Sequence, residues 1–483
     1  MRRRKVERLL NNVRNSKVMI MKKWMFPFLS SVVCVCVGCL VAQLKGGDKG
    51  VQSVSLTVAV PQEKVVGTIL DEDKKPLVAE VRFFDSEGGL VKRTQTDLEG
   101  KYEMLLDEGY YTVEVSKGYE YECQVVSIEV KQGQPVQVEP IALSRLIDWG
   151  AKDYYCGDFN QRSHFSPDGQ NTIEEILTAN LASGLNYGAL VDENTVDGSE
   201  EWKSLADKVN FLAISGQTFT HHQASYIALN TSDLVVMEES SPLESLEEVG
   251  HQIHESGGLL MTDALNDSLS QLLTQGVIDA VEIWNGQLVP PLSHLEEVDK
   301  EFRLNETRKE KWFELLSQGL KLPALANSNN RNINGDAITA TMTKNDRFNQ
   351  WLVDGTTIGS PRNYIKLEEL TPEGVVKGIK DGHIFMTNGP LMDITLNDKT
   401  FGDEVSGVTD AEITYLITSS QSELMSLNII GDGKVIQTIP LAKNVPNLGT
   451  ITLNLSDCHW VVFEVLTTSY EYALSNPIYL KAE

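Results

Sequence analysis

The sequence predicts a multidomain chain of the α/β plus all-β class: a central (β/α) barrel flanked by an N-terminal and a C-terminal β-sandwich. Three observations carry that expectation. Residues 62–145 and 391–483 place apolar residues with period two between Gly, Asp and Pro turns, the pattern of half-buried strands. Residues 149–390 alternate short apolar runs with amphipathic, capped segments, as in a parallel sheet or barrel. With 483 residues, 41% of them hydrophobic, the chain has ample material for several cores.

Residues 1–45 stand apart. They carry ten Lys/Arg against one acid, Glu7, followed by an apolar run from Trp24 to Val41, the layout of a secretory signal. "MKKWMFPFLSSVVCVCVGC" is a complete signal by itself, which would make Met21 the true start. "CVGC" weakly resembles a bacterial lipoprotein cleavage box, making Cys39 a candidate lipid anchor and a route to membrane attachment. The expected location is secreted or cell-envelope. The chain's net charge is −26; without those ten bases and one acid it falls to near −35. Such a surface repels nucleic acid. Beyond Cys39, Cys123, Cys156 and Cys458 lie far apart with no C-x-x-C, which indicates neither a disulfide framework nor a zinc knuckle. No feature sets an oligomeric state.

In residues 62–145 the period-two positions include Val81 and Phe83, then Tyr111, Val113 and Val115, separated by turns such as "DLEG" and "DEGYY". "GTILDEDKKPLVAEV", "TDLEGKYEM" and "LDEGYYTVEV" resemble the carboxypeptidase-regulatory-like β-sandwich. The resemblance implies a spacing or adhesive module, with no chemistry of its own.

In residues 149–390, "NYGALVD", "VNFLAISG", "GGLLMTD", "DAVEIWNG" and "LPALANS" read as buried strands ending in polar residues. Thr172 with Glu175 forms a capping box ahead of "IEEILTANLASG", and "SLEEVGHQIHESGG" and "ETRKEKWFELLSQG" close on glycines. In barrels the chemistry sits at the carboxyl ends of the strands. The last block, 391–483, returns to alternating strands around a "GDGK" hairpin.

"WGAKDYYCGDFNQR", "ALVDENTVDG", "ISGQTF", "SGGLLMTDA", "VEIWNG", "NSNNR" and "GHIFMTNGP" follow one another in the order of the CehA/McbA branch of the PHP (polymerase and histidinol phosphatase) metallohydrolases, which the chain resembles from Trp149 to Leu480. The resemblance implies a PHP-like barrel and a hydrolytic ancestry, and it shows where the chain departs. Asn160 and Arg162 stand where the family has two histidines on the first strand. Glu193 replaces the T-D-H-N histidine and Gln217 the G-x-E glutamate. Ser225 falls near the next histidine and Ala264 near the H-P one. Asn329 and Arg331 lie in the segment replacing S-D-x-H. Asp158, Asp192, Asn194, Glu282, Trp284 and Asn285 are retained.

Amides bind divalent metals weakly and guanidinium does not bind them. Without metals, Asp158, Asp192 and Glu193 would crowd like charges into low dielectric, which Arg162 and Arg331 can offset as bidentate partners. The expectation is therefore a non-catalytic binding protein with no metal or other cofactor. The pocket would take a small anionic ligand if the arginines are accessible, or be closed by salt bridges if they are buried and paired. The alternative is an active hydrolase of ester, amide or phosphoester bonds. It would hold Zn or Mn on a rearranged set drawn from Asp158, His164, Glu193, His221 or His222, and Asp263. A third reading, metal-free acid–base hydrolysis by Asp192 and Glu193, suffers because neighbours on a strand point to opposite faces.

Overall fold

The computed structural model describes residues 61–238, 241–265, 269–286, 300–333, 357–469 and 471–481. The signal-like segment, with Met21 and Cys39, lies outside the described residues. Among those described, no helix is long and apolar enough to cross a membrane.

The first block folds as two four-stranded sheets face to face. One contains Lys101–Leu106, Glu63–Asp71, Val136–Gln137 and Ile141–Leu143; the other runs Leu90–Gln95, Glu80–Phe84, Gly109–Ser116, Gln124–Val130. Alternation puts Val65, Ile69, Val81, Phe83, Val113 and Val115 between them, all fully buried. The "DLEG" turn needs its glycine: Gly100 has φ +71°, and a Cβ there would sit 2.3 Å from the Ile69 carbonyl. The sandwich is bonded to the rest of the chain. Lys117 Nζ donates to Val78 O (2.7 Å) in its own sheet region and to Leu181 O (2.6 Å) at the end of a central helix. Burial lowers that ammonium to about 8.

The central block corrects the expected fold class: among the described residues there is no central (β/α) barrel. The described chain is mostly β, 43% strand against 18% helix, and its main sheet curls into a half-barrel. Its strand order begins Ala324–Asn327, Ala280–Asn285, Leu259–Thr262, Ala224–Leu229, Leu212–His221, Tyr187–Leu190, Tyr154–Gln161. It then continues through Arg362–Lys366 and Ile384–Thr387 into the C-terminal strands Tyr472–Ser475, Trp460–Thr467, Leu424–Gly431 and Lys434–Pro440. Two features prevent closure. Leu212–His221 and Ala224–Leu229 form an antiparallel hairpin where a barrel needs a βα unit. The first half of the free edge of Tyr154–Gln161, which would have to meet the last barrel strand, is taken by antiparallel Arg362–Lys366, leaving only a single parallel bridge, Gln161 to Asn330, at its far end.

Six α-helices are present among the described residues: Ile173–Ala182, Ser199–Ala206, Glu244–Glu255, Ser270–Thr274, Lys300–Ser317 and Pro372–Asp381. The first starts on the Thr172/Glu175 capping box read from the sequence. A separate three-stranded sheet, Leu391–Leu396, Ala411–Thr418, Asn447–Leu453, completes the C-terminal part.

Asparagine side chains draw Ala324–Asn327 toward the strands it does not pair with. Asn363 donates to Ala326 O (2.7 Å) and accepts from Ala326 N (2.9 Å). Asn476 does the same for Ala324, at 2.8 Å each way. Asn327 Oδ1 accepts from Phe159 N (2.9 Å). An amide carries one acceptor and one donor group, as a peptide unit does, so it can stand in for a rung of the ladder.

Candidate functional site

The seam between Tyr154–Gln161 and the segment after Ala324–Asn327 holds most of the expected site. Arg162 N donates to Asn330 O (3.0 Å) and Asn330 N to Asn160 O (3.1 Å), forming a parallel bridge between Gln161 and Asn330. The bridge sets Asn160 beside Asn329 and Arg162 beside Arg331. Asp158, fully buried, ties the seam beneath: its carboxylate accepts from Ser328 Oγ, Ser328 N (3.2 Å), Gly359 N (3.0 Å) and Asn160 N (3.1 Å). Burial still pushes its pKa up, against the pull of those donors.

One half of the site is built from amides around a carboxylate. Glu282, 1% exposed, accepts from Asn327 Nδ2 (2.8 Å), Asn285 Nδ2 (2.5 Å) and Asn160 Nδ2 (3.2 Å). Asn285 Oδ1 in turn accepts from Asn329 Nδ2 (2.6 Å). Burial, and then the nearby charge of Asp263, raise Glu282 to about 7, against the amide bonds. Three neutral dipoles support the charge without cancelling it.

The other half is ionic. Arg162, 5% exposed, contacts Asp168 (2.5 Å) and Glu193 (3.4 Å) through Nη1. Arg331, 45% exposed, contacts the same Asp168 oxygen at 2.9 Å. Burial alone would raise Asp168, but the Arg162 bond, the Ser166 hydroxyl (2.6 Å) and Arg331 together hold it below its ordinary value. Asp168 is the residue that sequence reasoning missed. Its signal was available: two arginines beside three acids need a reachable counter-ion, and "SPDG" is a tight turn that folds back onto its strand.

The remaining candidates are engaged elsewhere. Asp192 accepts from Ser163 N (2.6 Å) and Ser163 Oγ (2.7 Å), and burial pushes its pKa up. It faces Ser163 while Glu193 faces Arg162, so the two acids do not converge. Gln217 exchanges two bonds with the backbone of Val235 (2.7 and 3.0 Å). Ala264 packs half-buried against an apolar cluster. His164 lies 3.4 Å from Asn171 O, and His221 and His222 both point Nε2 at Ser241 O (3.0 and 2.8 Å). Asp263 is bound by Arg308 (2.8 Å). Among the described residues no group of three or more His, Cys, Asp or Glu is placed to hold a metal ion. The donor set does not fit a divalent cation: amide N–H groups face the carboxylate and a guanidinium occupies the adjacent position.

No family model matches the chain, and no curated protein matches it. Among solved structures, one from Bifidobacterium adolescentis, assigned provisionally as a metal-dependent phosphoesterase, is 13% identical with a TM-score of 0.27, covering 36% of this chain and 86% of that one. An amidohydrolase from Chromobacterium violaceum, with bound sulfate and no metal, is 13% identical with a TM-score of 0.26, covering 36% and 87%. A streptococcal ancillary pilin is 14% identical with a TM-score of 0.16, covering 22% of this chain and 38% of its own length. At these values the likenesses decide neither fold nor chemistry.

Proposed function

We propose that the chain is a non-catalytic binding protein of hydrolase ancestry, in which the site of a PHP-type hydrolase has been converted to an internally neutralised polar cluster. One observation carries the reading. The groups at the former ligand positions are committed within the protein: Gln217 to Val235, Asn160 to Glu282, Arg162 to Asp168 and Glu193. None of these side chains can activate water as a metal-bound imidazole set would. The order of motifs from Trp149 to Leu480 supports the ancestry, and the basic-then-apolar first 45 residues support a place at the cell envelope.

Elemental mass spectrometry of the purified chain, after growth with added Zn, Mn and Fe, tests the reading alongside a screen of ester, amide and phosphoester substrates. The expected result is metal far below one equivalent and hydrolysis no faster than the blank. Near-stoichiometric metal that is lost in a His221→Ala/His222→Ala variant, together with turnover, would overturn it.

A further inference from the structure

The seam leaves polar atoms without partners at one place. Asn160 Oδ1, Asn329 Oδ1 and Arg162 Nε are buried and accept or donate no hydrogen bond among the described residues. Asn160 is 2% exposed and Arg162 5%. Folded proteins seldom leave such atoms unpaired, since each costs about 1–3 kcal/mol. The Gln161–Asn330 bridge gathers them into one patch, with Asn160 and Asn329 on one side and Arg162 and Arg331 on the other.

The chemistry of the patch is two-sided. The amide oxygens call for hydrogen-bond donors, as hydroxyls supply. The arginine side offers an unused Nε–H and the half-exposed Arg331, which call for an oxyanion. Asp168 occupies that anion position now: a single carboxylate oxygen is shared between both guanidinium groups, and it meets Arg162 through Nη1 alone. Asp168 and Glu193 are 29% and 27% exposed, so the charged end of the patch is also its open end.

We propose that this patch binds a small hydroxylated anion of the sugar-acid or sugar-phosphate class, whose oxyanion displaces Asp168 from the arginine pair and whose hydroxyls bond Asn160 and Asn329. The inference rests on the binding-protein reading and gives it a ligand class.

Calorimetric titration with D-glucuronate, glucose 6-phosphate, glucose and inorganic phosphate tests it, with NMR of the recovered probe. One or both hydroxylated anions should bind saturably, at least about tenfold tighter than glucose or phosphate, since either lacks one half of the contacts. Which of the two binds identifies carboxylate or phosphate. Arg331→Gln should weaken binding at least about tenfold, and Asp168→Asn, which removes the internal competitor, should tighten it. Failure of both hydroxylated anions to bind, equal binding of bare phosphate, or variants that titrate like the parent chain would overturn the site. A bound probe recovered chemically altered would uphold the site and overturn the non-catalytic reading instead.

Discussion

Two halves of one seam meet the same problem, buried carboxylates, and solve it differently. Around Glu282 the chain placed three asparagine amides; around Asp168 it placed two arginines. The results diverge in sign. Glu282 rises to about 7, because dipoles offset only part of the desolvation, whereas full opposite charges carry Asp168 below its ordinary value despite partial burial. The amide half is largely buried and integral to the fold, linking three segments of chain. The ionic half stands partly in solvent, where charge pairs are screened and exchangeable. Rigidity thus belongs to the neutral side and exchange to the charged side.

The largest expected effect falls on the amide half. Asn327→Leu removes a donor to Glu282, the acceptor of Phe159 N and the acceptor of Asn363 Nδ2 (2.9 Å) in one change. It should cost about 4 kcal/mol or more in denaturant unfolding, as several buried groups are orphaned together. A cost under about 1 kcal/mol would show that the seam is not held by these amides.

The middle effect is a pH dependence. An acid whose folded pKa lies above its unfolded value stabilises the fold below about pH 4.5, and that stabilisation is lost as pH rises through about 7. For Glu282 the amplitude is on the order of 3 kcal/mol. Unfolding free energies of Glu282→Gln between pH 4.5 and 8 should therefore decline less steeply than those of the parent chain. Parallel profiles would mean that Glu282 stays ionised throughout, and the contrast between the halves would fail. Asp158 and Asp192, also raised by burial, add slope in the same direction to both proteins.

The smallest effect falls on the ionic half. Arg331→Gln cuts a half-exposed pair and should cost less than about 1 kcal/mol of stability, read from the same unfolding curves. A loss of several kcal/mol would make Arg331 part of the framework and sharpen the division in a different place.

Much of the local structure was legible in the residues. The Thr172/Glu175 box begins a helix, the glycine-closed segments end as helices Glu244–Glu255 and Lys300–Ser317, and "GDGK" turns between Leu424–Gly431 and Lys434–Pro440. That Asn160, Arg162 and Gln217 are poor metal ligands was legible too, since residue type alone decides what can ligate a metal. Those readings rest on forces acting within a few residues: capping, turn geometry and apolar period. The barrel expectation failed because period and capping report that strands and helices alternate, not which strand edges meet. The antiparallel placement of Arg362–Lys366 against Tyr154–Gln161 joins residues some two hundred apart, and no local signal records it. The same holds for Arg331 at Asp168 and for Glu282 between Asn160 and Asn327. By itself, the sequence determined which elements form and which residue types stand along the seam. Only the tertiary structure decided how the buried charges are balanced, because that depends on which side chains a curled, unclosed sheet brings within hydrogen-bond reach.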